Sequence, residues 1–347
     1  MPRPHLRAIV LAAALVALAL ALCACGKTTT VRESSLVSTG GQPPAAADGR
    51  AVAPGHTGDA VRIFVVTHGA ASSPFWAIVR TGVEAAARQM DVLVTYRAPD
   101  VYSLDRMKAM VDQAIAARPD GLVVSLPEAG IAPVVRKAVR AGIPVVTINS
   151  GSDLSRRLGV LAHVGQPEHR AGLLAGRRLA AAGVRRALCV NQQVDNVGLD
   201  ARCAGLAEAM RAAGGRSSVI SVDDMSPATP KRLAAAITRG RIDGLLTLNA
   251  ATGTEAVQAV RRAGAAGRVQ IGTFDLGPDI LAAVRAGRIR FAVDQQGYLQ
   301  GYLPVALLTQ RARYGLFPED GIIATGPHFV TRANAAQAIE LSRRSIR

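Results

Sequence analysis

The sequence predicts an α/β protein of two doubly wound parallel-sheet lobes, and three observations predict it. Short apolar runs alternate with amphipathic helical segments from residue 60 onward. The apolar runs lack an inside–outside alternation, as strands of a parallel sheet covered on both faces do. The whole pattern then starts again near residue 186 with partly repeated wording.

The first half reads as strand 61–66, helix 75–90, strand 92–96, helix 104–117, strand 121–125, helix 132–141 and strand 144–148. The second reads as strand 186–190, helix 199–213, strand 218–222, helix 230–239, strand 244–248, helix 251–263 and strand 269–274. Asp120-Gly-Leu-Val-Val-Ser125 matches Asp243-Gly-Leu-Leu-Thr-Leu248, and Val135-Arg-Lys-Ala-Val-Arg-Ala-Gly142 matches Val257-Gln-Ala-Val-Arg-Arg-Ala-Gly264. Each half then runs into a strand ending in Thr-Ile-Asn149 or Thr-Phe-Asp275. This is an internal duplication. Two such lobes each offer their strand carboxyl ends for ligand binding, and facing lobes make a cleft that can close by a hinge.

The chain begins with a basic leader (Arg3, Arg7) and an apolar run that ends at Leu22-Cys23-Ala24-Cys25. A basic segment, an apolar segment and small residues at its end form a secretory signal over residues 1–24. Its last four residues resemble a bacterial lipobox, which makes Cys25 the lipidated first residue of the mature protein. Cys23 fits less well, because Leu22 would stand where a small residue is wanted. The competing reading is an uncleaved transmembrane helix, for which the run is short. Residues 25–58, rich in Gly, Ala, Pro, Ser and Thr, then form a flexible lipidated tether. The expected location is outside the cytosol, anchored to the cell membrane by lipid.

The 347 residues carry a net charge of +16. The arginines Arg80, Arg88, Arg106, Arg118, Arg136 and Arg140 are spread along helices and not clustered with aromatics, which argues for solvated helix faces near an anionic membrane and against nucleic acid. Cys189, in a strand, and Cys203, early in the next helix, form an even pair in an oxidising compartment. Neighbouring strand and helix can bring their Cα atoms within the roughly 4.4–6.8 Å a bridge needs, so a disulfide is expected. No CxxC, His-Cys cluster or HExxH occurs, so no metal or other cofactor is expected. GxSxG, P-loop and dinucleotide fingerprints are missing at strand ends, and Asp223-Asp224 reads as a loop contact, so catalysis finds little support.

Several segments together resemble the type I periplasmic binding proteins of the ribose-binding, sugar-importer kind. They are Phe64-Val-Val-Thr-His-Gly69, Ser73-Pro-Phe-Trp76, Asp120-Gly-Leu-Val-Val-Ser125, Gly142-Ile-Pro-Val-Val-Thr-Ile-Asn149, Val164-Gly-Gln166 with Ala171-Gly172, Arg202-Cys-Ala-Gly205, Asp243-Gly-Leu245 with Asn249, Ile271-Gly-Thr-Phe-Asp275 and Ala292-Val-Asp-Gln-Gln296. Each is weak alone; their order and spacing carry the likeness over residues 60–335.

The resemblance implies an N-terminal lobe of 60–164 plus 297–324 and a C-terminal lobe of 166–294 plus 327–343, with crossovers near Gly165, Gln295 and Thr325. It implies an aromatic clamp of Phe75 and Trp76 with Ser73 beside it. It also implies hydroxyl contacts from Asn149 and Asp275, a two-hydroxyl grip by Arg202, amide contacts from Asn249 and Gln295, and weaker roles for Ser125 and Gln166. The alternatives stay open at this stage: Phe75 and Trp76 as core, Asn249 as a helix cap, Gln295 as a solvent-facing residue. The implied partners are a small polyhydroxylated solute and a permease–ATPase complex, with the protein acting as a monomer. A ligand-sensing receptor feeding a chemoreceptor or sensor kinase would look alike. A lactose-repressor-type regulator lacks room for its N-terminal DNA-binding helices. Asn149-Ser150 stands where ribose-type relatives have Asp-Arg, and the loop holding His68 is two residues longer, which argues against a plain ribose site.

Overall fold

Two six-stranded sheets organise the chain. The structure is a computed structural model and describes residues 60–69, 73–223, 226–319 and 321–347. The signal segment, Cys25, the tether and Asp224 lie outside the described residues. No helix among the described residues is long and apolar enough to cross a membrane.

The first sheet contains β1 (Arg62–Val66), β2 (Leu93–Arg97), β3 (Gly121–Ser125), β4 (Val145–Ile148) and β5 (Ala162–Gly165). The second contains β6 (Arg186–Asn191), β7 (Arg216–Ser221), β8 (Gly244–Thr247), β9 (Gln270–Phe274) and β10 (Phe291–Asp294). The late strands β11 (Ile322–Ala324) and β12 (His328–Thr331) complete them. The orders are β11-β5-β4-β3-β1-β2 and β12-β10-β9-β8-β6-β7, so the duplication read in the sequence reappears strand for strand.

All pairings are parallel except β10–β12. That exception departs from the all-parallel expectation and has a simple cause. The chain leaves β11 beside Gly165 and reaches β12 after three residues, with no crossover helix to carry it back. It enters the second sheet at Asp294, the carboxyl end of β10, and must run the other way.

Burial explains why the strand sequences read as continuous apolar runs. Leu122 and Val124 of β3 pack against the helices Leu104–Ala116 and Ala132–Arg140, while Val123 points to the helices Pro74–Met90 and Gly297–Tyr314. Each sheet is thus sandwiched between helices on both faces.

The two lobes also share a helix crossing. Gly82 abuts Tyr298 O and Gly301 abuts Val79 O in the first lobe; Gly205 abuts His169 O and Gly172 abuts Arg202 O in the second. A Cβ on Gly172 would sit 2.0 Å from that carbonyl, so only glycine admits the close approach that seats the Arg202 helix, Val197–Ala212.

The predicted disulfide is present. Cys189 and Cys203 are bonded with Cα atoms 5.7 Å apart, tying β6 to the Arg202 helix. That helix starts two residues earlier than expected, because Asn196 caps it by accepting from Gly198 N (3.0 Å) and Leu199 N (3.4 Å).

Candidate functional site

The loops at the strand carboxyl ends of the two sheets meet. After β3, Pro127 O accepts from Val197 N at 2.9 Å. After β4, Ser150 Oγ donates to Asn196 Oδ1 at 3.0 Å. These contacts join the first lobe to the start of the Arg202 helix.

Behind them lies a buried polar chain. Asn149 Nδ2 donates to Gln300 Oε1 (3.1 Å) and to Gln295 Oε1 (3.4 Å). Gln295 Nε2 donates to Asp275 Oδ1 at 2.5 Å. Arg202 Nη2 donates to the same Gln295 Oε1 (3.2 Å) and to Glu168 Oε1 (2.9 Å), and Arg202 Nε to Glu168 Oε2 (2.6 Å). Gln166 Nε2 donates to Glu168 Oε2 at 2.8 Å. Gln300 Nε2 closes the chain on Gln295 O and Thr325 Oγ1.

Local sequence explains the placement. Asn149 and Asp275 follow β4 and β9 with left-handed backbones (φ 69° and 66°), a conformation that Asn and Asp tolerate better than other side-chain-bearing residues. Gln295 follows β10 at a crossover, and Glu168 opens the helix Glu168–Ala181, where a carboxylate suits the helix dipole.

Electrostatics follow from burial. Arg202 is 2% and Glu168 5% exposed, and the guanidinium lies 4.2 Å over the Phe274 ring. Burial opposes the Arg202 charge, yet Glu168 beside it outweighs burial and raises its pKa. Burial pushes the Asp275 carboxyl up to about 6, against the pull of Arg202 and the Gln295 amide. Such a network is worth most when fully satisfied; Gln166 Oε1 is buried without a hydrogen-bond partner among the described residues.

A cavity of about 10 Å³ opens beside the chain, between Phe75 and Ile78 of the first lobe and Asp275, Leu276, Asp294 and Gln295 of the second. It has room for about one water. A sugar-sized guest therefore requires the lobes to part or these side chains to yield.

The structure brings Phe75, Asn149, Gln166, Arg202, Asp275 and Gln295 to this region. Arg202 does not present an open fork: Glu168 holds one edge, through Nε–H and one Nη2–H. Trp76 is buried in the first lobe's core, edge-on to Phe75 (5.1 Å) and His68 (4.8 Å). Ser73 occupies the cap position of the helix Pro74–Met90 without a capping side-chain bond. Ser125 Oγ accepts from His68 N (2.9 Å) and bonds His68 Nδ1 (2.8 Å). Burial lowers the His68 pKa to about 3, so its ring is neutral. Asn249 caps the helix Ala250–Arg262 through Thr252 N at 2.8 Å, and Leu248 O beside it accepts from Arg202 Nη1 at 3.1 Å.

Sequence reasoning missed Glu168 and Gln300. The only signal for Glu168 was a carboxylate directly after a crossover; Gln300 sits in the first turn of the helix Gly297–Tyr314, where an amide is unremarkable. Among the described residues no group of three or more His, Cys, Asp or Glu could hold a metal ion.

Comparison with known proteins adds a lineage. Residues 63–315 match the family profile described as periplasmic binding protein domain. The chain is 32% identical to a carbohydrate transporter from Acidothermus cellulolyticus solved in complex with myo-inositol, covering 83% of this chain and 100% of that one with a TM-score of 0.77. It is 28% identical over 238 residues to a D-ribose/D-allose-binding protein of Pseudomonas aeruginosa, covering 64% of this chain and 73% of that protein. An ABC-transporter solute-binding protein from Burkholderia graminis, solved with D-arabinose, shares the fold at 21% identity and a TM-score of 0.73, over 80% of this chain and 98% of that one.

Proposed function

The chain belongs to the periplasmic binding protein family, and on that premise we propose that it captures a monosaccharide or related polyol between its lobes and delivers it to an ABC permease. The observation that carries the reading is Gln295. From a crossover between the lobes, its amide receives Asn149 and Arg202 on one atom and reaches Asp275 with the other. Donors and acceptors from both lobes thus converge at one point, beside the half-buried Phe75 ring. A polyol needs that mixture: paired hydrogen bonds for its hydroxyls and an apolar wall for its C–H face. Contacts from both lobes favour the closed form, so binding shifts the population toward the state a permease accepts. The signal 1–24 and lipidated Cys25 would hold the protein outside the cytosol, and 60–164 with 297–324 against 166–294 with 327–343 would move as the two halves of the clamp.

The relative solved with myo-inositol and the D-ribose/D-allose-binding relative set the first panel. Titration calorimetry against myo-inositol, D-ribose, D-allose and D-arabinose is expected to give micromolar or tighter binding to at least one. Binding no tighter than millimolar to every neutral polyol in a widened panel would remove the reading.

A further inference from the structure

Arg202 has five N–H donors, and the protein itself uses four of them. Nε–H and one Nη2–H go to the two oxygens of Glu168, the other Nη2–H to Gln295 Oε1, and one Nη1–H to Leu248 O. One Nη1–H is left over among the described residues. The guanidinium face is covered by Phe274. Glu168 Oε2 also accepts from Gln166 Nε2, which helps hold the carboxylate in place.

The charges sum unfavourably for an anion. Arg202 contributes one positive charge, and Glu168 and an ionised Asp275 contribute two negative ones. Asp294 adds a third carboxylate nearby, paired at 3.0 Å with Arg347, which lines the same cavity; with both arginines counted, the three carboxylates still leave one net negative charge. A sugar carboxylate or phosphate binds best to the open edge of a guanidinium, where two parallel N–H bonds can form. That edge is the one Glu168 occupies.

We propose that Glu168 is a specificity-determining residue: by occupying that edge of Arg202 with a carboxylate it makes the cleft select uncharged polyols and reject their anionic counterparts, the uronates, aldonates and sugar phosphates. This rests on the polyol-binding reading above. The selection runs against the protein's overall charge of +16, which by long-range attraction alone would favour anions. The part of the selection set by Glu168 and Arg202 is insensitive to salt, since the pair is buried and bulk ions screen it little.

The test compares neutral and acidic forms of one ring or chain. The wild-type protein and Glu168→Gln are titrated calorimetrically with myo-inositol, D-ribose, D-allose and D-arabinose, and with D-glucuronate, D-ribonate, D-allonate and D-arabinonate, at 0.05 and 0.5 M NaCl. The wild type is expected to bind its best neutral ligand at least 100-fold tighter than any acid at both salt concentrations. Glu168→Gln removes the negative charge and one of the two acceptors from the Arg202 edge, and is expected to shrink that ratio at least tenfold, chiefly by gaining affinity for the acid. The double variant Glu168→Gln/Arg202→Gln removes both charges and is expected to restore rejection. Wild-type binding of an acid as tight as that of the neutral ligand overturns the inference while leaving cleft binding intact. So does a folded Glu168→Gln with an unchanged ratio. If Glu168→Gln fails to melt cooperatively, the wild-type ratio and the double variant decide. Absence of binding to every neutral polyol overturns the underlying reading and this inference with it.

Discussion

Asn149 and Asp275 occupy the same position in the two halves of the duplication, adopt the same left-handed backbone, and are joined by one side chain, Gln295. The duplicated fold delivers a donor from one lobe and an acceptor from the other. The crossover residue supplies the complementary ends, its Oε1 toward the Asn149 amide and its Nε2 toward the Asp275 carboxylate. The link spans 146 residues on one side and 20 on the other.

Removing that bridge separates the two lobes' contributions. Gln295→Ala leaves Asp275 buried without its amide and Asn149 Nδ2 with Gln300 alone. Hydrogen bonds to charged groups contribute about 1.5–3 kcal/mol, so ligand affinity is expected to fall roughly ten- to hundred-fold. Calorimetry on a variant with a wild-type circular dichroism spectrum measures it; an unchanged Kd would show that the bridge is incidental to binding.

Asp275 makes binding depend on pH. Burial raises its pKa from 3.8 to about 6 in the folded protein. The folded state therefore holds this proton more tightly than the unfolded chain, and this group's contribution to stability declines as pH rises from about 4 to 6, then levels off. A ligand hydroxyl donating to Asp275 favours the carboxylate, so binding expels the proton. Affinity is expected to be about tenfold weaker at pH 5 than at pH 7.5. Proton release should appear as a buffer-dependent binding enthalpy near pH 5.5. Asp275→Asn should flatten the profile, and a wild-type profile already flat would place the ligand away from this carboxylate.

Much of this arrangement was legible before any coordinate. The strand ends Asn149 and Asp275 announced themselves because duplicated segments led into both. The cysteine pair did so because strand and helix were adjacent in sequence. The antiparallel β12 was not legible, since direction there depends on where β11 releases the chain and not on residue type. Glu168 escaped because its partner lies 34 residues away, across a helix crossing set by Gly172 and Gly205. A carboxylate in a first helical turn reads as an ordinary dipole partner. Asn249 was legible either as contact or as cap, and only the distance to Thr252 N shows that its Oδ1 caps the helix.

The Cys189–Cys203 bond closes a loop with a sequence separation of 14, and Cys203 directly follows Arg202. Constraining a loop of about that length in the unfolded chain stabilises by about 3 kcal/mol. Both cysteines are buried, so neither Cys189 nor Cys203 should react as a thiol until the protein is unfolded in the presence of reductant. Cys189→Ala/Cys203→Ala is expected to lower Tm by several degrees. It should also weaken ligand binding, because the helix carrying Arg202 loses its tie to β6 and is left to the Gly172–Gly205 crossing and the Asn196 cap. Differential scanning calorimetry with and without ligand separates the two effects. A fall in Tm with an unchanged ligand-induced shift would confine the bond to stability. A fall in both would make it part of what aims Arg202 at Glu168 and Gln295.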